Sequence, residues 1–144
     1  VDVVFIPMQH PADTAEAEAI SCMMKYKPVV LNRVYTTTEL LALAGSMDML
    51  IGVRLHALVF ASLMEKPVIG ISYDPKIANF LHMIGEVPIG TLDDISADAL
   101  TTEATKVLTD RALQNEVRQR IISLREESLK NAHIALSLLS KKVE

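Results

Sequence analysis

The sequence predicts an α/β protein on a parallel sheet, doubly wound in the Rossmann-like manner. Three observations point there. Short apolar runs alternate with helical segments along nearly all of the 144 residues. Pro and Gly fall at segment ends. The apolar runs are oily throughout instead of alternating, as strands buried on both faces are. A hydrophobic fraction of 50% and a mean hydropathy of +0.28 fit such two-sided burial. Right-handed crossovers would place helices on both faces, and ligands would bind beyond the carboxyl ends of the strands. That rule selects the loops after residues 7, 34, 52, 73 and 90.

The elements follow in order. The run 3–7 reads as a buried strand, and "HPADTAEAEAISCMMKY" as a helix with Asp13 as its cap and Glu16 three residues on. Residues 28–34 form a second strand. The next helix opens at Thr36, with Glu39 at capping-box spacing and Gly45 in the terminating turn. Residues 48–52 are a third strand, ended by Gly52. Residues 55–66 form a helix so apolar on every face that it should lie buried in the middle of the domain. Residues 67–73 are the fourth strand, Pro75 opens a short helix, and 87–90 is a short edge strand. Ser96 caps the helix that follows. From Arg111 to Lys142 the pattern is one or two long helices, with Leu113, Val117, Ile121 and Leu124 at helical spacing.

Composition excludes several classes. A formal charge of −4 with no basic arm argues against nucleic acid. The basic residues near the end (Arg111, Arg118, Arg120, Arg125, Lys130) are interleaved with Glu116, Glu126 and Glu127, as on a solvated helix face. One cysteine, Cys22, rules out an internal disulfide or a cysteine zinc site and is expected to be a small buried hydrophobe. No apolar run reaches the roughly 18–20 residues of a membrane span, and nothing resembles a secretory signal. The opening "VDVVFIPM" enters a strand at once, which suggests a piece of a longer protein.

Chemistry concentrates in 50–76, "LIGVRLHALVFASLMEKPVIGISYDPK". Gly52, Arg54 and His56 fall where the third strand meets the buried helix, hence at the carboxyl edge of the sheet. Gly52 would let a ligand approach the backbone. A helix N-terminus offers N–H groups and partial positive charge, and Arg54 adds a fork of donors for a carboxylate or phosphate. Lys76, with Tyr73 and Asp74 beside it, follows the next strand at the same edge. Together these look like an anion site with acid–base chemistry. A surface ion pair for Arg54 and a structural role for His56 fit the same spacing. After the first strand, Gln9 and His10 are further substrate-binding candidates, whereas His82 and His133 read as structural or surface residues. No G-x-G-x-x-G follows the first strand, there is no P-loop, and "GISYD" lacks the second Gly of a serine-hydrolase elbow. No His or carboxylate pair has metal spacing, so neither metal nor cofactor is expected.

These residues carry a resemblance. Gly52-Val53-Arg54-Leu55-His56-Ala57 and Ser72-Tyr73-Asp74-Pro75-Lys76 resemble the paired signature of the polysaccharide pyruvyl transferase family. The similarity is closest to the CsaB-type bacterial enzymes that pyruvylate cell-wall polymers. It runs through 48–81 in detail, and "FIPMQHPAD" (5–13) fits as well. The resemblance implies the C-terminal, donor-binding half of a two-domain GT-B-like transferase, with the N-terminal acceptor domain missing. It implies phosphoenolpyruvate as donor, a lipid-linked saccharide such as one bearing N-acetylmannosamine as acceptor, and a 4,6-ketal of pyruvate as product. Polymers decorated this way serve in S-layer anchoring. By the motif His56 is the catalytic acid, and Arg54, Leu55, Gly52 and Lys76 bind substrate. A helix N-terminus and two cations oppose a protonated imidazole, so His56 is expected to act once the donor's own phosphate and carboxylate are bound.

The expected location is the cytoplasm, at the inner membrane face, and the fragment alone should be inactive. The apolar excess leaves room for an interdomain face or a homo-oligomer through the last helix. Two other functions fit the same fold. A nucleotide-sugar glycosyltransferase donor domain would bind a nucleotide. A non-catalytic anion- or sugar-binding module would need Arg54 and tolerate loss of His56.

Overall fold

A computed structural model describes residues 1–140 of the chain. It divides into two units, the first Val1–Leu40 and the second beginning at Leu41. The first is one β-α-β unit: β1 (Val4–Phe5), α1 (Ala12–Met23) and β2 (Val29–Val30). β1 and β2 are parallel, Val4 facing Val29 and Phe5 facing Val30. Backbone bonds from Val29 N–H to the Val3 carbonyl (2.9 Å) and from Leu31 N–H to the Phe5 carbonyl (3.1 Å) continue the pairing. α1 turns Thr14 and Ala17 inward.

α2 (Thr37–Ser46) opens with the capping box that the spacing of Thr36 and Glu39 predicts. Glu39 N–H donates to the Thr36 hydroxyl (3.3 Å), and Thr36 N–H donates to the Glu39 carboxylate (2.8 Å). Gly45 lies inside α2 and not in its terminating turn. A Cβ there would come within 2.6 Å of the Met64 side chain, so close packing is what the missing side chain provides.

In the second unit β3 (Leu50–Gly52), α3 (Leu55–Leu63), β4 (Val68–Ser72), α4 (Pro75–Met83) and β5 (Gly90–Thr91) alternate in chain order. The strands form one parallel sheet in the order β3-β4-β5. The class is therefore α/β with parallel strands, as predicted. The ladders fall into a two-stranded and a three-stranded sheet rather than one continuous sheet. β5 is an edge strand displaced from 87–90 to Gly90–Thr91. Pro88 has no N–H for a ladder, and pairing begins where Ile89 N–H reaches the Gly70 carbonyl (2.9 Å).

Central β4 is the strand that meets the expectation of two-sided burial, with Val68, Ile69 and Gly70 all buried. Leu58 of α3 and Ile77 and Leu81 of α4 pack around it at 0% exposure. Each such side chain contributes about 1.5–3 kcal/mol on burial. α3 departs from its forecast. Leu58, Ala61 and Ser62 are buried, but Leu63 is 47% exposed, so the helix keeps one open flank. An all-round apolar pattern cannot say which side is covered.

α5 (Ala97–Thr109) is capped by Ser96, whose hydroxyl accepts from Ala99 N–H at 3.3 Å. The C-terminal region is one helix, α6 (Arg111–Ser140), started by Asp110, whose carboxylate accepts from Ala112 and Leu113 N–H. The forecast end at Lys142 lies outside the described residues. Val117 and Ile121 are its buried residues. Arg118 pairs with Glu65 (2.6 Å) and Arg120 with Glu116 (2.5 Å), so two members of the basic run form surface ion pairs. Cys22 is exposed, contrary to expectation. It falls on the outward side of α1, whose inward residues are Thr14 and Ala17. Among the described residues no helix is long and apolar enough to cross a membrane.

Candidate active site

The β3–β4 register fixes the site's geometry. Gly52 faces Gly70, so β4 runs two residues further before it turns. Each strand then passes through a two-residue bend into its helix: Val53–Arg54 after β3, Tyr73–Asp74 after β4. Because the strands are parallel neighbours, both bends emerge at the carboxyl edge of one sheet. Gly52, Arg54, Leu55 and His56 lie within five consecutive residues at the first. Tyr73, Asp74 and Lys76 share the second.

The two helix starts differ. Arg54 is the N-cap of α3, with extended backbone (φ −96°, ψ 125°) and no side-chain capping bond. Its carbonyl accepts from Ala57 (3.1 Å) and Leu58 (3.3 Å), while the N–H groups of Leu55 and His56 precede the helical ladder. The Arg54 side chain is half-buried and His56 is exposed, its ring centroid 6.3 Å from that of Phe60 and tilted by 51°. Neither is sealed beneath packed side chains.

At α4 the Asp74 carboxylate caps the helix, accepting from Lys76 N–H at 2.9 Å. The same carboxylate lies 3.3 Å from the Lys76 ammonium, and the Ser72 hydroxyl donates to the Asp74 carbonyl (3.2 Å). The Lys76 N–H bond, helped by the Lys76 charge, holds the Asp74 carboxyl below its ordinary range. The second cation forecast for this edge therefore stands beside a compensating anion.

A third turn went unforeseen as chemistry. Beyond β5, the Asp94 carboxylate accepts from both the N–H and the hydroxyl of Thr91, and these bonds lower its pKa. The T-x-x-D spacing was the available signal.

Gly52 has a packing role. A Cβ there would sit 3.0 Å from Leu50 and 3.2 Å from Leu58, so its bareness admits core leucines. In the first unit Gln9 and His10 are exposed on the β1–α1 loop, and the His10 Nδ1 lies 2.9 Å from the Thr14 hydroxyl. Asp13 is not the N-cap of α1; Pro11 holds that position. The Asp13 carboxylate reaches back to accept from Met8 (3.2 Å) and Gln9 (2.9 Å) N–H, fastening the loop. His82 and His133 are exposed on α4 and α6.

The second unit is thus a parallel α/β unit that carries an arginine and a histidine on one turn at the carboxyl edge of its sheet. The polysaccharide pyruvyl transferase family profile matches residues 3–75, half of the chain, and the protein belongs to that family. The matched span includes Gln9, His10, Arg54, His56, Tyr73 and Asp74, and stops one residue before Lys76. No curated protein and no solved structure matches the chain.

Proposed function

We propose that this chain is the donor-binding part of an enzyme that transfers a pyruvyl group from phosphoenolpyruvate to two hydroxyls of a cell-wall polysaccharide precursor, forming a pyruvate ketal. The observation that carries this is the Arg54–His56 turn: an arginine N-cap with no side-chain cap, then an exposed imidazole on the first helical turn, within the family-matched span.

Phosphoenolpyruvate carries a phosphate and a carboxylate on one small frame. Arg54 suits either group as a bidentate donor, and the Leu55 and His56 N–H groups suit the other. His56 donates a proton to the methylene carbon of the donor, turning it into a methyl group and leaving an oxocarbenium-like centre. One sugar hydroxyl adds there and loses its proton. Phosphate departs with the C–O electron pair, and the second hydroxyl closes the ketal. The two hydroxyl protons balance the one placed on carbon and the one gained by phosphate. Positioned proton transfer supplies about 10²–10⁴-fold.

The acceptor is a lipid-linked saccharide at the cytoplasmic membrane face, and a further N-terminal domain of a GT-B-like enzyme brings it to the sheet edge. Lys76, 3.3 Å from the Asp74 carboxylate, adds a second cation at the same edge. Calorimetric titration of the chain tests the donor. Phosphoenolpyruvate should bind and UDP should not, and Arg54→Ala should weaken binding by about 10- to 100-fold, the worth of a charge-assisted bidentate contact. Binding of UDP with none of phosphoenolpyruvate would overturn the assignment in favour of a nucleotide-sugar enzyme.

A further inference from the structure

Neither ring nitrogen of His56 has a hydrogen-bond partner among the described residues, whereas the His10 Nδ1 lies 2.9 Å from the Thr14 hydroxyl. A histidine that moves protons is ordinarily oriented by a carboxylate or a carbonyl on the nitrogen it does not use. Here the group beside the imidazole is aromatic. The Phe60 ring centroid lies 6.3 Å from that of His56, with the planes tilted by 51°, inside the range of interacting aromatic pairs.

The spacing of the two residues accounts for the contact. Phe60 follows His56 by four positions on α3, so the two share a face one turn apart. Helical side chains lean back toward the N-terminus, which carries the Phe60 ring over the turn that bears His56. Phe60 is itself half-buried and packed against the core that contains Leu58, Ile77 and Leu81. A ring anchored in this way limits the rotamers open to an exposed imidazole and leaves both of its nitrogens clear.

We infer that Phe60 is the positioning residue of the proton donor, holding the His56 ring at the β3–α3 turn in the part that a carboxylate plays beside other catalytic histidines. This rests on the pyruvyl-transfer reading, in which His56 delivers the proton. Phe60 acts only through His56.

Turnover by the two-domain enzyme tests it in a double-mutant cycle. Phe60→Leu keeps an apolar contact with the core and removes the ring. At saturating donor and acceptor it should lower kcat by about 3- to 10-fold, the worth of an aromatic pair, and leave donor affinity by calorimetry unchanged. Phe60→Tyr keeps the ring and should restore the rate, and Phe60→Met, a second variant without a ring, should match Phe60→Leu. In a His56→Gln background Phe60→Leu should have no further effect, because the group it positions is gone. An equal loss in both backgrounds, an unchanged kcat in Phe60→Leu, or a parallel loss of donor affinity would overturn the inference and leave the pyruvyl-transfer reading standing. Full turnover in His56→Gln alone would overturn that reading, and the inference with it.

Discussion

The β3–α3 and β4–α4 turns are built alike and finished differently. Both leave neighbouring parallel strands of one sheet, both bend through two residues, and both start a helix whose far side is core. At α4 the chain supplies its own anion: Asp74 caps the helix and pairs with Lys76. At α3 the N-cap is an arginine, which cannot accept an N–H bond. A helix start without a side-chain acceptor forgoes about 1 kcal/mol of capping. One turn therefore caps its helix with its own side chain, and the other leaves the first N–H groups of its helix without a side-chain acceptor.

The largest expected effect separates the turns by chemistry. On the proposed mechanism, His56→Gln lowers turnover by about 10²–10⁴-fold, removes one ionisation from the pH dependence of kcat, and changes donor affinity little. Phosphate release by the two-domain enzyme in the presence of donor and acceptor reads it. A donor affinity lost in parallel with turnover would make His56 a binding residue instead.

The next effect acts on the closed turn. Asp74→Ala should cost about 1 kcal/mol of stability through the lost cap, whereas Asp74→Asn, which still accepts from Lys76 N–H, should cost a few tenths. Thermal melting of both variants reads the difference. Equal losses would show that the exposed Asp74–Lys76 ion pair matters more than the cap, against the usual small worth of such pairs.

The smallest effect uses α2 as a third, fully closed helix start. Hydrogen bonds from the Thr36 N–H, then the Arg33 contact, lower the Glu39 carboxyl from 4.5 to about 2. Its folded pKa lies below the unfolded one, so its contribution is complete above pH 4.5 and is lost as pH falls through about 2. Glu39→Gln keeps a capping acceptor and should flatten the stability profile across that window. Acid melts of the two proteins, compared point by point, check it.

What the sequence made legible was local. The capping box at Thr36 and the cap at Ser96 involve residues three apart, so spacing alone fixes donor and acceptor, whereas the Asp74 cap was not read from the sequence. The strand–helix order and the placing of Arg54 and His56 at a strand's carboxyl end follow from the same short-range periodicity. What stayed hidden was tertiary. Gly45 answers to Met64, and Gly52 to Leu58, contacts that depend on how the helices pack and not on the period of the pattern. The open flank of α3 was invisible because its residues are apolar all round. The exposure of Cys22 depends on which side of α1 faces inward, and Thr14 and Ala17 are too small to announce it.

The central claim is that an incoming acid docks on the start of α3 and not on the start of α4. Backbone ¹H–¹⁵N spectra recorded during titration with phosphoenolpyruvate test it residue by residue. The Leu55 and His56 N–H signals should move downfield in a saturable way while those of Lys76 and Ile77 stay nearly still. Equal movement at both turns, or movement confined to Lys76 and Ile77, would contradict it.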